Sequence, residues 1–163
     1  GQGIAMTPVG TIRALSVIAN GGYLVNPHVV KKVKYSIGTE KETSIEKLSD
    51  KNSLLKPDTV DEIRRMLVYN VDHSLLDGKR KNPHYSIAAK TGTAQIASPN
   101  GGYYDDRNIH TFIGFFPAYN PKAIVFIYTI YPKTSQYASE SLANSFLDLS
   151  DFLIQYYEIA PDR

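Results

Sequence analysis

No cysteine occurs among the 163 residues, which excludes disulfides and thiolate metal sites and is compatible with an oxidising compartment. No apolar run approaches the roughly 20 residues that span a bilayer; the longest, residues 123–130, suits a buried strand. No secretory leader is recognisable and no methionine opens the chain, so any membrane anchor is expected outside these residues. An excess of one charge is also lacking. The 18 Lys and Arg against 16 Asp and Glu leave a formal net charge of +2, too small to point to nucleic acid or an anionic membrane as a partner. The densest basic cluster, Lys79-Arg80-Lys81, reads as a solvated turn. There is no internal repeat and no low-complexity tract.

What is present is an ordinary globular composition, with hydrophobic residues at 42% and charged residues at 21%. A chain of this length buries about 70% of the surface it exposes unfolded, enough for a core in one domain or one piece of a larger one. Thr7-Pro8 starts a helix, because the threonine hydroxyl can cap a free N–H and proline at the first helical position loses no hydrogen bond. Val9, Ile12, Leu15 and Ile18 form its apolar stripe, and Asn20-Gly21-Gly22 ends it. Residues 23–37 read as extended, with Val29, Val33, Tyr35 and Ile37 as candidates for a buried face. Residues 38–56 are polar, a surface loop or small hairpin. A second helix is predicted over 57–71, a loop over 77–84, and strands over 85–96, 109–116 and 123–131. Pro99-Asn100-Gly101-Gly102 is a turn, and the short link between the last two strands favours antiparallel neighbours. Leu142, Phe146, Leu149, Leu153 and Tyr156 share one face of a last helix over 140–157. The fold class is α+β: an antiparallel sheet of three or more strands with helices packed on it.

The stretch that carries chemistry is Ala89-Lys90-Thr91-Gly92-Thr93-Ala94-Gln95, inside the strand before the glycine turn. Lys-Thr-Gly belongs, with Ser-x-x-Lys and Ser-Asp-Asn, to the motif set of penicillin-binding proteins and related β-lactamases. Three residues alone are a weak signal, but their surroundings are specific. Gly1-Gln2-Gly3-Ile4-Ala5-Met6-Thr7-Pro8, Ala19-Asn20-Gly21-Gly22 and Pro27-His28-Val29-Val30 resemble the run before this strand in class B penicillin-binding proteins, the peptidoglycan D,D-transpeptidases of division and elongation. Gly101-Gly102-Tyr103, Thr111-Phe112-Ile113-Gly114-Phe115-Phe116-Pro117 and Asn120-Pro121 resemble the family's next two strands, and Ile159-Ala160-Pro161-Asp162 its close. The resemblance covers nearly the whole chain in the right order.

It implies the penicillin-recognising fold, a five-stranded antiparallel sheet between helices. Residues 1–163 would supply three strands and the C-terminal helix of a single transpeptidase domain, with the nucleophile-bearing part upstream. The substrate implied is a peptidoglycan stem peptide ending in D-Ala-D-Ala, lying beside the strand as an added β-strand would. β-Lactams are the implied inhibitors, other wall-synthesis or division proteins the implied partners, and the extracytoplasmic face of the bacterial cytoplasmic membrane the implied location. No cofactor or metal is expected, and His28, His73, His84 and His110 show no ligand spacing. Lys90 is suited to supply the catalytic positive charge near the substrate carboxylate and the serines. Thr91, Gly92 and Thr93 would bind substrate. Gly92 lets the substrate backbone approach, and Thr93 matches the position that gives an oxyanion N–H and a hydroxyl for the carboxylate. Gln95 and Tyr103 stand at the possible rim.

The family's acylation needs a serine activated by a lysine one helical turn later. Ser44-Ile45-Glu46-Lys47 and Ser53-Leu54-Leu55-Lys56 have that spelling but stand too close to Lys90 for the family's order, and Ser98-Pro99-Asn100 follows Lys90 instead of preceding it. All three read as coincidences, so this chain alone is expected to be inactive. Asp72-His73-Ser74 spells a hydrolase triad, yet chain neighbours do not face one another. His110 is expected to be structural. Where the family has a glycine pair and an Ala-Pro-Val-Phe-like helix start, this chain has Tyr137-Ala138-Ser139-Glu140 and Leu142-Ala143-Asn144-Ser145-Phe146, so that loop is expected to differ in shape. Two rival readings are a class D β-lactamase or β-lactam-sensor domain, and a non-catalytic binding module of the same fold. The Gly-Gln-Gly to Thr-Pro run and the Phe-Ile-Gly-Phe-Phe-Pro strand weigh against the first, and the intact Lys90 to Thr93 motif against the second.

Overall fold

A computed structural model describes residues 3–43 and 53–163. Helix α1 runs over Pro8–Ala19, with the Thr7 hydroxyl accepting from the Gly10 N–H at 3.1 Å, as the cap reading requires. A two-stranded ribbon of β1 (Lys32–Lys34) and β2 (Glu40–Glu42) follows. Helix α2 covers Pro57–Tyr69 and runs on through a π turn over Asn70–Ser74 and a tight turn over Leu75–Gly78. Strands β3 (Ala88–Ala97), β4 (Tyr103–Phe116) and β5 (Ala123–Ile130) form an antiparallel sheet in the order β3-β4-β5. Helix α3 (Ala138–Tyr156) closes the described chain and packs on all three strands.

The sheet is a two-sided element. Residues of β3 and β4 alternate between its faces, and the odd-numbered residues of β3 with the even-numbered ones of β4 meet α3. There Ala89, Phe112 and Phe116 pack with Ile87, Ala143, Phe146, Leu147 and Ile154. The Phe112 and Phe146 rings stack at 4.3 Å between centroids and both are buried, each contributing about 1.5–3 kcal/mol by burial alone. On the opposite face Ala88 and Phe115 join Val68 of α2 and Ala118, with Ile18, Ala19 and Leu67 against them. Gly114 leaves no room for a side chain: a Cβ there would lie 2.5 Å from Phe146 Cζ and 2.7 Å from the Ala88 carbonyl oxygen.

Several sequence expectations need correction. Val29, Val33, Tyr35 and Ile37 form no buried face. All four are exposed, since only three residues of that stretch pair, with β2, and among the described residues no layer covers the ribbon. In α1 the buried residues are Ser16 and Val17, whereas Val9 is exposed, because only the C-terminal half of the helix meets the core. In α3 the buried stripe runs through Leu142, Phe146, Ser150 and Ile154 instead of reaching Tyr156, which is exposed. Strand β4 begins at Tyr103, six residues before the apolar pattern, because backbone pairing of Tyr103 with Ala97 extends the hairpin through polar residues. The register shifts between Gln95 and Ala97.

Candidate active site

The Lys-Thr-Gly motif lies on β3, the outer strand of its sheet among the described residues. The direction of its backbone groups follows from three contacts. The Ala88 carbonyl points at β4, being the oxygen that a Gly114 side chain would strike. The Gly92 carbonyl accepts from Thr111 Oγ1 of β4 at 3.3 Å. The Ala89 carbonyl points the other way, accepting from Asn70 Nδ2 at 3.3 Å. By the alternation of an antiparallel ladder, the N–H and C=O groups of Thr91 and Thr93 therefore leave β3 on its free edge.

Side chains divide differently. Lys90 and Gly92 stand on the face of Ala88, and Thr91 and Thr93 on the face of α3. Lys90 is exposed, and its ammonium bends back to donate to the Thr91 carbonyl at 3.0 Å, which brings the cation to the free edge. Thr93 is exposed as well, and its Oγ1 accepts from the N–H of Ala138, the first residue of α3, at 3.0 Å. The motif's cation, its outward N–H groups and its hydroxyl thus meet along the free edge of the strand rather than on one face of the sheet. Such an edge can pair with an extended peptide, and a cation and N–H donors on it can hold developing negative charge.

Gly92 has a second reason to lack a side chain, besides any ligand. A Cβ there would fall 2.5 Å from Thr111 Oγ1, its cross-strand partner. Gln95 is half-buried and pairs with Asn108 across the ladder. Tyr103 is partly exposed beyond the register shift, its hydroxyl close to Gly3.

The start of β3 is anchored by residues that sequence reading missed. Ser86, buried, donates its N–H to Asp162 Oδ1 at 2.7 Å and its hydroxyl to Asp162 Oδ2, while its Oγ accepts from the Ala118 N–H at 2.8 Å. Next to it Arg163 holds the buried Asp72 carboxylate, Nη2 to Oδ1 at 2.9 Å, and reaches the Asn82 carbonyl. That hydrogen bond to Asp72 raises the Arg163 guanidinium above its already high ordinary range. The Ile159 to Asp162 ending was the only sequence signal for this lacing. Asp72 is thereby spent on an arginine, and the His73 ring lies tilted against Tyr69, 4.4 Å between centroids, so the Asp72-His73-Ser74 string forms no triad. Ser53 and Lys56 precede α2 in non-helical backbone, with the Ser53 hydroxyl turned onto the Leu55 carbonyl, so they share no helical turn. Ser98 sits in the β3–β4 turn, bonded to Gly102 and Gly101. Ser44 and Lys47 lie outside the described residues.

With this geometry in place the comparisons with known proteins are decisive. The model of the penicillin binding protein transpeptidase domain matches residues 1–150. The chain belongs to that family. Its relatives are of the class B kind expected from the sequence. Stage V sporulation protein D of Bacillus subtilis is 31% identical over 136 residues, 82% of this chain and 20% of that protein. A peptidoglycan D,D-transpeptidase FtsI homolog of Mesostigma viride is 30% identical over 139 residues, 77% of this chain and 22% of that protein. The crystal structure of penicillin binding protein 3 from Mycobacterium tuberculosis, complexed with aztreonam, superposes with a TM-score of 0.81 at 26% identity, covering 100% of this chain and 38% of that one. Its ampicillin complex gives 0.82. The chain therefore spans about a fifth of the length of these curated relatives.

Proposed function

We propose that this chain is the substrate-binding wall of a serine D,D-transpeptidase that crosslinks peptidoglycan in division or elongation, at the outer face of the cytoplasmic membrane. The observation that carries the reading is the free edge of β3, where the Lys90 ammonium and the outward N–H groups of Thr91 and Thr93 converge. A stem peptide ending in D-Ala-D-Ala pairs along this edge as an extra strand. A serine oxygen attacks the penultimate D-alanine carbonyl, the terminal D-alanine departs, and an amine of a second stem peptide then takes the acyl group. The Thr93 N–H faces the oxyanion in both steps, and Lys90 and the Thr93 hydroxyl hold the carboxylate of the leaving residue. β-Lactams enter as acylating analogues of the same dipeptide.

The serine itself comes from chain outside these 163 residues, in one transpeptidase domain of which they are the C-terminal portion. Ser53 and Ser98 are engaged in turns, and neither has a lysine one helical turn away. A fluorescent penicillin tests the proposal. The full-length protein should label covalently, the 163-residue chain should not, and Lys90→Ala in the full-length protein should slow acylation by about 10²–10³-fold, the loss seen when one oxyanion-type donor is removed. Labelling of the short chain at Ser44 or Ser53, or an unchanged rate in the Lys90→Ala variant, refutes it.

A further inference from the structure

His110 stands directly across the ladder from Thr93, on the same face of the sheet, and is 0% exposed. Its Nδ1 lies 2.8 Å from Ser141 Oγ and its Nε2 3.2 Å from the Gln136 carbonyl oxygen. A carbonyl only accepts, so Nε2 carries a proton and donates to Gln136, while Nδ1 and the Ser141 hydroxyl share the second hydrogen bond. Both nitrogens of the ring thus have a partner. The two groups it holds bracket the start of α3: Gln136 comes two residues before Ala138, and Ser141 three after. Glu140 ties the same turn from outside, its Oε2 accepting from the Gln136 N–H at 3.1 Å. Ala138 is 1% exposed and gives its N–H to Thr93 Oγ1.

This bond decides what the Thr93 hydroxyl can do. With a lone pair occupied by the Ala138 N–H, its own proton is turned away from that N–H and stays available to another acceptor. A loop that let Ala138 drift would free the hydroxyl to rotate. The segment that His110 grips is also the one in which this chain departs from the family's glycine pair and helix start.

We infer that His110 is a positioning residue for the acylation reaction, acting on the Thr93 hydroxyl through the first N–H of α3. The inference rests on the proposed function, in which that hydroxyl holds the substrate carboxylate. It touches no substrate itself.

The test is a double-mutant cycle on the full-length protein, reading separately the affinity for a fluorescent penicillin and the rate of acylation from the bound state. Thr93→Val removes the hydroxyl; His110→Leu removes both grips; Ser141→Ala removes one grip with little change in packing. His110→Gln restores a donor toward the Gln136 carbonyl. Thr93→Val and His110→Leu should each slow acylation about ten-fold, and Ser141→Ala about three-fold, as expected for one hydrogen bond to a reacting or neutral group. In the Thr93→Val background His110→Leu should add less than about two-fold, since coupled residues do not add. His110→Gln should recover part of the rate. If the two effects multiply, or if Ser141→Ala and His110→Gln leave acylation at the wild-type rate while Thr93→Val slows it, His110 is a packing residue and the inference is wrong. If Thr93→Val alone changes nothing, it is the proposed role of Thr93 that fails, and the inference with it. Should His110→Leu not fold, Ser141→Ala and His110→Gln in the two Thr93 backgrounds decide the matter alone.

Discussion

Replacing Arg163 by methionine should destabilise the domain far more than loss of an ordinary surface residue would. The Asp72 carboxylate is 8% exposed and takes both arms of the guanidinium. Its other cation, Lys81, stands 3.8 Å away and half-exposed. Removing one partner of a fully buried pair costs about 3–5 kcal/mol, because the remaining charge is left buried. The Arg163 side chain is 26% exposed, which admits water to the vacated site and lowers the expectation to about 2–3 kcal/mol. A domain of roughly 150–250 residues would fall by about 4–12 °C in Tm, and the larger transpeptidase domain proposed above by less. The arginine's proton affinity is raised in the folded state, so its contribution is complete below the unfolded value and lost only as pH rises beyond the ordinary arginine range. The loss caused by Arg163→Met should therefore be the same at pH 7 as at about pH 9. Calorimetry of the full-length protein, following this domain's transition, measures it. In the Asp72→Asn background the same substitution should cost less than about half as much. A loss below about 0.5 kcal/mol, or one that does not shrink in that background, would show that the lacing of Arg163 to the π turn stabilises nothing.

Two further outcomes follow from the same packing. Gly114→Ala should cost at least about 1–3 kcal/mol, because the new methyl group meets the Phe146 ring and the Ala88 carbonyl, neither of which can yield without moving the sheet; urea unfolding would reveal it, and a neutral result would mean that α3 rides more loosely on β4 than described. Glu62 is depressed by its hydrogen bond to Arg65, so its contribution is present above the unfolded carboxylate range and fades as pH falls through the folded value. Both groups are exposed, so Glu62→Gln should leave the urea midpoint unchanged at pH 7, and a clear shift would count against reading this pair as a surface contact.

Local chemistry was legible before any coordinates. The Thr7-Pro8 start of α1, the Pro57-Asp58 start of α2, strands β3 and β5, the end of β4 and the helical run from Glu140 all depend on residues within one or two turns of each other, and each formed close to where it was read. The Lys-Thr-Gly motif was equally plain, since its meaning lies in three adjacent residues and their flanking turns. The errors came wherever burial depended on a distant partner. Val33, Tyr35 and Ile37 have a strand's composition but nothing among the described residues to pack on, and Tyr156 shares a helical period with Leu142 yet lies past the end of the core.

By itself the sequence determined the family, the order of helices and strands, and which short segment bears the chemistry, because periodicity, capping and motif spacing are properties of neighbours along a chain. Only the tertiary structure decided that β3 is an edge among the described strands, that Thr91 and Thr93 turn their backbone outward, that His110 grips the start of α3, and that Asp72 belongs to Arg163. Each of these joins residues at least 19 positions apart, and their pairing is chosen by register and core packing across the sheet.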